Sequence, residues 1–220
     1  MLPLGDDNST RRTFPLVTYA LIALNVLAFL LELGGGDALI TRWSFVPARF
    51  AASPGAQFLT IFSSMFLHAG WVHLLGNMLY LFIFGDNVED RLGHLLYLVF
   101  YLLCGLAATL AQFLFSLGSQ VPNLGASGAI AGVLGAYLIM FPGERVRVLM
   151  GYIVVQMSAV VVIGLWIVLQ FLSSLAAFTP SSQTGSAGGV AYFAHIGGFL
   201  AGVILTLLLG GRRRRLPAGY

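Results

Sequence analysis

The stretch GASGAIAGVLGAYLIMF, residues 125–141, places one serine at the head of an apolar run with glycine at every third or fourth position. This pattern predicts a helix from Ser127 to Phe141 that carries small residues on adjoining faces. Gly128 and Gly132 form a pair of small residues one helical turn apart, and such pairs let two helix backbones approach closely. We therefore expect this helix to pack tightly against another helix of the chain.

A matching face follows at residues 194–198, AHIGG, which open another apolar run. His195, Gly198 and Gly202 have helical spacing, so the imidazole and the two glycines share one helix face. Close packing of the two helices would bring His195 within hydrogen-bond distance of Ser127. A hydroxyl beside an imidazole is the minimum of an activated nucleophile. The alternative is two ordinary packing motifs whose serine and histidine are satisfied core residues.

The composition identifies a membrane protein. Hydrophobic residues make up 58% of the 220 residues and charged residues 9%, whereas soluble domains have about 45–50% and about 25%. A polar side chain inside a bilayer is costly and is therefore a functional candidate, which applies to Ser127 and His195. The single cysteine, Cys104, excludes an intrachain disulfide and is interpreted as a packing residue.

We predict an all-α, polytopic membrane protein with six transmembrane helices. A span needs about 20 apolar residues, and polar or Gly/Pro-rich segments separate the apolar runs of this chain. The runs are Phe14–Leu33, Trp71–Phe84, His94–Leu117, Ser127–Phe141, Val148–Leu172 and Val190–Leu209. The expected organisation is a cytoplasmic tail over residues 1–13, a six-span membrane domain over 14–210 and a basic cytoplasmic tail over 211–220.

Arginines set the expected orientation, because cytoplasmic loops carry an excess of basic residues. With the N-terminus inside, nine of the 11 basic residues are cytoplasmic and two are outside. The cytoplasmic ones are Arg11, Arg12, Arg91, Arg145, Arg147 and Arg212–Arg215, against Arg42 and Arg49 outside. We interpret the run Arg212–Arg215 as an anchor for the anionic lipid bilayer and expect no nucleic-acid partner. Both termini are then cytoplasmic, in what we expect to be a bacterial inner membrane.

The helix that begins at Ser127 is short for a span. It measures about 22 Å against a hydrocarbon core of about 30 Å, so Ser127 starts below the outer surface and the loop before it enters the bilayer. Irregular backbone is tolerated there only where it is buried in protein or lines a water-filled cavity. Spans two, four and six run in the same direction. We therefore expect Ser127, His195, His73 and Asn77 to converge on a cavity open to the outer side.

His73 and Asn77 lie at i and i+4 and share a helix face. Both side chains can donate hydrogen bonds, as an oxyanion hole requires. His68 falls off this face and is expected to stabilise the loop that leads into the helix. A metal site of His68, His73 and His195 would lack the H-E-x-x-H pattern and a nearby carboxylate. We therefore expect no metal.

The acidic residues favour a dyad over a triad. Glu32 and Asp37 fall at or beyond the end of the first predicted span, so no carboxylate is expected in the outer half of any span. A Ser-His dyad is then the economical interpretation. The segment Glu89-Asp90-Arg91 is expected to form local ion pairs that close the loop after span two, and His94 is expected to be solvated.

At this point the sequence resembles the rhomboid family of intramembrane serine proteases, from about Phe14 to Leu209. The resemblance rests on four motifs in the order expected for that family. They are His68-x4-His73-x3-Asn77, Glu89-x-Arg91, Gly125-x-Ser127-Gly128 and Ala194-His195-x2-Gly198. Each motif alone is weak, but all four in one six-span chain are highly specific.

The resemblance implies a role for each motif. Ser127 would be the nucleophile and His195 its general base. His73, Asn77 and the Ser127 backbone N–H would stabilise the oxyanion. The residues with a supporting or structural role would be His68, Gly125, Gly128, Gly198, Glu89 and Arg91. The substrates would be single-span membrane proteins, cut near the outer end of their transmembrane helix without a cofactor.

Two positions depart from better-known bacterial members of that family. Ala131 stands one turn after the serine, where an aromatic residue often stacks on the histidine, and Gly76 stands where a bulky gate residue can precede the asparagine. One alternative function is a pseudoprotease that binds helices without cutting them, which the retention of Ser127 and His195 disfavours. Another is a channel or transporter, which would place ionisable residues across the whole bilayer.

Overall fold

The computed structural model describes residues 1–9, 11–176 and 191–211. The described chain is mostly helical. Its helices are α1 (Leu16–Trp43), α2 (Pro47–Ala52), α3 (Pro54–Gln57), α4 (Thr60–Ser63), α5 (Trp71–Leu92), α6 (His94–Phe115), α7 (Ser127–Met140), α8 (Ala159–Ala176) and α9 (Tyr192–Leu208). A 3-10 turn covers Ser64–Phe66, and three strands are β1 (Leu2–Gly5), β2 (Arg145–Met150) and β3 (Ile153–Ser158).

Most predicted spans coincide with helices. The helices α6, α7 and α9 lie within about two residues of the predicted bounds, and α5 continues past the predicted end at Phe84 to Leu92. The first helix also continues, from the predicted end at Leu33 to Trp43. It does so across a bend at Gly36, whose φ of 58° is open to glycine but not to most other residues.

Two of the described helices, α1 and α6, are each long and apolar enough to cross a membrane. The segment Pro54–Phe66 and α5 form a third candidate span that is bent by 79°. The remaining apolar helices α7, α8 and α9 are shorter. The prediction of six spans therefore stays a prediction, while the family resemblance and the apolar helices agree on an integral membrane protein.

The prediction of an all-α fold is wrong for the segment before α8. The predicted fifth span began at Val148, but residues up to Ser158 form an antiparallel hairpin of β2 and β3, and β1 pairs with β2 on the other side. Val146 and Val148 are buried between exposed arginines, which is the period of a half-buried strand. Gly151, with a φ of 61°, opens the two-residue turn of the hairpin.

Residues 1–9 and 11–13, predicted as part of a cytoplasmic tail, contact the rest of the chain. Besides the pairing of β1, the Asp6 carboxylate accepts hydrogen bonds from the Tyr137 hydroxyl at 2.6 Å and from Asn87 Nδ2 at 2.7 Å. Arg11 forms an ion pair of 2.6 Å with Asp86. The predicted basic tail over Arg212–Arg215 lies outside the described residues.

Candidate active site

The backbones of α7 and α9 are in direct contact through glycine. A Cβ placed on Gly198 would collide with the carbonyl oxygen of Gly128, and one on Gly202 would collide with that of Gly132. The small faces predicted from sequence therefore do pack on each other. Any larger side chain at these positions would push the two helices apart.

This contact brings the two candidate catalytic side chains together. Ser127 is the first residue of α7, and its Oγ lies 2.7 Å from Nε2 of His195 in the second turn of α9. His195 is only 7% exposed. The expected hydrogen-bond contact between these residues is thus present, while their catalytic roles stay predictions.

Gly125 sets the approach of the chain to Ser127. Its φ is 125°, in the region that favours glycine, and its N–H donates to the carbonyl oxygen of Ser64 at 2.8 Å. A Cβ at this position would lie 2.7 Å from Cε1 and 2.9 Å from Nε2 of His73. Glycine therefore allows the loop to pass between His73 and Ser127.

His73 and Asn77 face the same space as Ser127. The N–H of Ala69 approaches Nδ1 of His73 at 3.4 Å, and an imidazole that accepts at Nδ1 carries its proton on Nε2. Asn77 is 7% exposed, and its Nδ2 has no hydrogen-bond partner among the described residues. As the first residue of α7, Ser127 also presents a backbone N–H without a partner inside its helix. Three donors are thus available near the hydroxyl.

A cavity of about 1220 Å³ collects these groups. Its lining includes Ser127, His195, His73 and Asn77, and Asp37 supplies an acidic group among the described lining residues. The convergence of the four predicted side chains on one cavity follows the expectation from their positions in the spans. Whether water fills this cavity, and which side of the membrane it faces, stay predictions.

His68 contacts α1 through a partner that was not predicted from the sequence. Glu32 lies within α1, is 4% exposed, and accepts a hydrogen bond from the backbone N–H of His68 at 3.1 Å. Glu32 lies one turn before the bend at Gly36, and α1 continues beyond that bend. The ring of His68 also packs edge-on against His73, with centroids 5.1 Å apart.

The local pairing expected at Glu89-Asp90-Arg91 is made by Glu89 with His94 rather than with Arg91. The carboxylate of Glu89 accepts hydrogen bonds from the N–H groups of Val17 and Thr18, at 2.8 and 2.7 Å. It therefore caps the first turn of α1, where N–H groups lack partners. His94 is exposed, as expected, and its Nδ1 lies 2.5 Å from Oε1 of Glu89. The guanidinium of Arg91 instead lies over the ring of Phe141 at 5.0 Å.

Two residues that contact His195 were missed from sequence, and both lie on α8. Gln170 Oε1 is 2.8 Å from Nδ1 of His195, and the ring of Trp166 lies 5.6 Å from the imidazole. A signal for Gln170 was present, because it is a polar side chain within an apolar run and such residues are functional candidates. The run Val148–Leu172, which contains Gln170, was instead predicted as one uninterrupted membrane span.

The arrangement supports nucleophilic chemistry. A hydroxyl hydrogen-bonded to an imidazole can lose its proton as it attacks a carbonyl carbon. Donors held in a fixed arrangement can stabilise the negative charge that develops on a carbonyl oxygen during such an attack. The described residues thus place a hydroxyl, an imidazole and hydrogen-bond donors around one cavity.

Comparison with known proteins agrees with this arrangement. Residues 55–212 match the family described as the rhomboid domain. Similar proteins include "Rhomboid protease GluP" of Bacillus subtilis, 32% identical over 90% of this chain, and "Rhomboid protein 1, mitochondrial" of Saccharomyces cerevisiae, 29% identical over 92%. "Rhomboid-like protein 11, chloroplastic" of Arabidopsis thaliana is 31% identical over 70% of this chain. The matches span 36%, 57% and 52% of these relatives' own lengths.

Proposed function

This chain belongs to the rhomboid family, and on that premise we propose that it is an intramembrane serine endopeptidase. It cleaves transmembrane-helix substrates near the outer membrane boundary through a dyad of Ser127 and His195. The observation that carries this proposal is the distance of 2.7 Å between Ser127 Oγ and His195 Nε2 at the cavity. It is supported by the name of the Bacillus subtilis relative GluP, which is called a protease.

The reaction begins with attack of Ser127 Oγ on a substrate carbonyl carbon. As the C–O bond forms, the hydroxyl proton passes to Nε2 of His195 and the carbonyl π electrons move to the oxygen. Nε2 of His73, Nδ2 of Asn77 and the N–H of Ser127 donate hydrogen bonds to that oxyanion. The C–N bond then breaks, and His195 gives its proton to the leaving amine nitrogen. Water cleaves the acyl-enzyme by the same steps and restores the serine hydroxyl.

The chemistry requires a local loss of helical structure in the substrate. Each carbonyl in a helix is tied into a hydrogen bond with the N–H four residues later, so the segment unwinds before Ser127 attacks. Glycine or proline in the substrate lowers the cost of unwinding. The close packing around Gly128 and Gly198 leaves little space beside Ser127, so the residue that donates the attacked carbonyl is small, such as alanine.

The membrane arrangement that goes with this function has six spans and both termini in the cytoplasm. The partners are then single-span membrane proteins that reach the cavity from the bilayer, and the site is on the outer side of a bacterial inner membrane. The arginine distribution supports this orientation. Neither a metal nor a cofactor takes part in the reaction as written.

The test is cleavage of a transmembrane substrate by purified protein reconstituted in liposomes. Ser127→Ala and His195→Ala each abolish cleavage, and the double variant is no worse than either, because the two groups act as a unit. A fluorophosphonate probe labels Ser127 in the unchanged protein. The matched control is Ser44→Ala, which removes a buried serine hydroxyl that, unlike the hydroxyl of Ser127, has no partner among the described residues.

Full cleavage by the Ser127→Ala protein would rule out the dyad. Folded, unchanged protein that binds substrate helices but neither cuts them nor reacts with the probe would instead identify a pseudoprotease. Passage of ions or solutes through the reconstituted protein would support a channel or transporter.

A further inference from the structure

Gln170 on α8 is the strongest feature of the structure that the reaction above does not use. We propose that Gln170 is the positioning residue of His195 and that its side-chain oxygen holds the imidazole in the tautomer that accepts the proton of Ser127. This inference rests on the proposed function. It adds that the dyad is complete only when a third helix, which carries neither Ser127 nor His195, is in place.

The two nitrogens of the His195 imidazole have different partners. Nδ1 of His195 lies 2.8 Å from Oε1 of Gln170, and Nε2 lies 2.7 Å from Oγ of Ser127. An amide oxygen only accepts hydrogen bonds, so Nδ1 carries the ring proton and donates it. In a neutral imidazole, Nε2 then presents a lone pair. That lone pair faces the serine hydroxyl, as a general base requires.

The His195 imidazole is restrained by α8 and not by the side chain of residue 131. Ala131, one turn after Ser127 on α7, has no ring or polar group to offer. Trp166 lies one turn before Gln170, so α8 supplies both a ring contact at 5.6 Å and a hydrogen bond to the same imidazole. The buried residues Ile163 and Ser174 continue this face of α8. One face of α8 therefore restrains the orientation of His195.

An amide suits this position better than a carboxylate. A charged group in the hydrocarbon region is expensive, whereas a hydrogen-bonded neutral amide costs much less. Glutamine thus provides the acceptor that fixes the tautomer without adding a buried charge next to the dyad. The site obtains the orienting function of a third residue from a neutral side chain.

The test compares two variants of matched length. Gln170→Met keeps the shape of the side chain but removes the acceptor, and Gln170→Glu keeps an acceptor oxygen. Ser174→Ala is the control, because it removes a polar side chain from the same face of α8. The Ser174 hydroxyl donates to the carbonyl oxygen of Phe171 and not to His195. Cleavage kinetics, the labelling rate of Ser127 by a fluorophosphonate, and thermal unfolding are measured for each.

The expected result is a split between the kinetic parameters. Gln170→Met lowers kcat and the labelling rate about 10- to 100-fold, because the imidazole loses the acceptor that fixes its orientation and tautomer, while KM changes little. Gln170→Glu retains most of the labelling rate, and Ser174→Ala behaves as the unchanged protein. A purely structural role would lower the thermal stability without this split and without the recovery by glutamate.

Nitrogen NMR of histidine-labelled protein gives a direct signature. The chain has four histidines, and the His195 signals are assigned from the His195→Ala spectrum. In the unchanged protein Nδ1 of His195 carries the proton, and in Gln170→Met the two tautomers mix. An unchanged tautomer together with an unchanged labelling rate in folded Gln170→Met would overturn the inference, even where Gln170→Glu does not fold. Failure of the unchanged protein to react at Ser127 would instead remove the proposed function, and the NMR result would still test the hydrogen bond.

Discussion

Replacing Gly198 by alanine tests whether glycine contact between α7 and α9 assembles the dyad. A Cβ at this position would collide with the carbonyl oxygen of Gly128 and lie 2.9 Å from its carbonyl carbon. Both atoms belong to backbone, so no change of rotamer relieves the collision. The two helices must move apart, and Gly128 is the neighbour of Ser127.

The magnitude follows from the contact distances. Ordinary contacts between heavy atoms lie at roughly 3.5 Å, so the helices separate by on the order of 1 Å. The distance of 2.7 Å between Ser127 Oγ and His195 Nε2 then exceeds the range of a hydrogen bond. Misplacement of about 1 Å costs roughly 100-fold in rate. Overpacking costs about 1–3 kcal/mol of stability, less the roughly 0.5–1 kcal/mol that alanine gains over glycine in a helix.

The assay combines Ser127 labelling, substrate cleavage and thermal unfolding in the same detergent. The matched control is Gly164→Ala on α8, where nothing lies within 4 Å of the added Cβ, so activity is kept and helix stability rises slightly. Wild-type labelling and cleavage by Gly198→Ala would refute the reasoning, because the dyad would then not depend on this backbone contact.

Three further changes test other parts of the structure. Asn77→Ala should lower kcat about 10²–10³-fold and leave the Kd for substrate unchanged. A kcat equal to that of the wild type would show that Asn77 is a packing residue. Glu89→Gln should lower the thermal stability by about 1–3 kcal/mol because it weakens the cap of α1, while the labelling rate of the folded protein stays unchanged; a slower rate at full stability would contradict the capping role. Burial raises the pKa of the Asp6 carboxyl above its usual value. The protonated carboxyl therefore stabilises the folded protein at pH values below the unfolded pKa, and this stabilisation is lost as the pH rises through the folded pKa. The stability of wild type relative to Asp6→Asn, from thermal unfolding between roughly pH 4 and pH 7, should therefore fall with rising pH, and a constant difference would show that Asp6 titrates normally.

The helices could be predicted where the sequence features that define them, apolar runs and the residues that end them, lie within a single segment. Apolar runs bounded by glycine or polar residues placed α6 and α7 within about two residues of their ends, because apolarity and breakers act along the chain. The same signals failed at β2 and β3. There the alternation of Arg145, Val146, Arg147 and Val148 predicts a strand, but the apolar length of the following segment favoured one long helix.

The sequence by itself determined the membrane class, the family and the identity of the candidate site residues. Side-chain type and spacing are enough to select Ser127, His195, His73 and Asn77, because polar groups are rare and costly in an apolar chain. The contact of α7 with α9 was also predictable, since paired glycines permit close approach of backbones.

Only the tertiary structure decided which groups from distant segments meet. Glu32 pairs with the backbone of His68, and Glu89 pairs with the first turn of α1. Gln170 pairs with His195. Many residues separate the two partners of each pair in the sequence. Hydrogen-bond partners depend on the relative placement of whole helices, to angstrom precision. That placement is set by the packing of all side chains together, which spacing along a single segment does not encode.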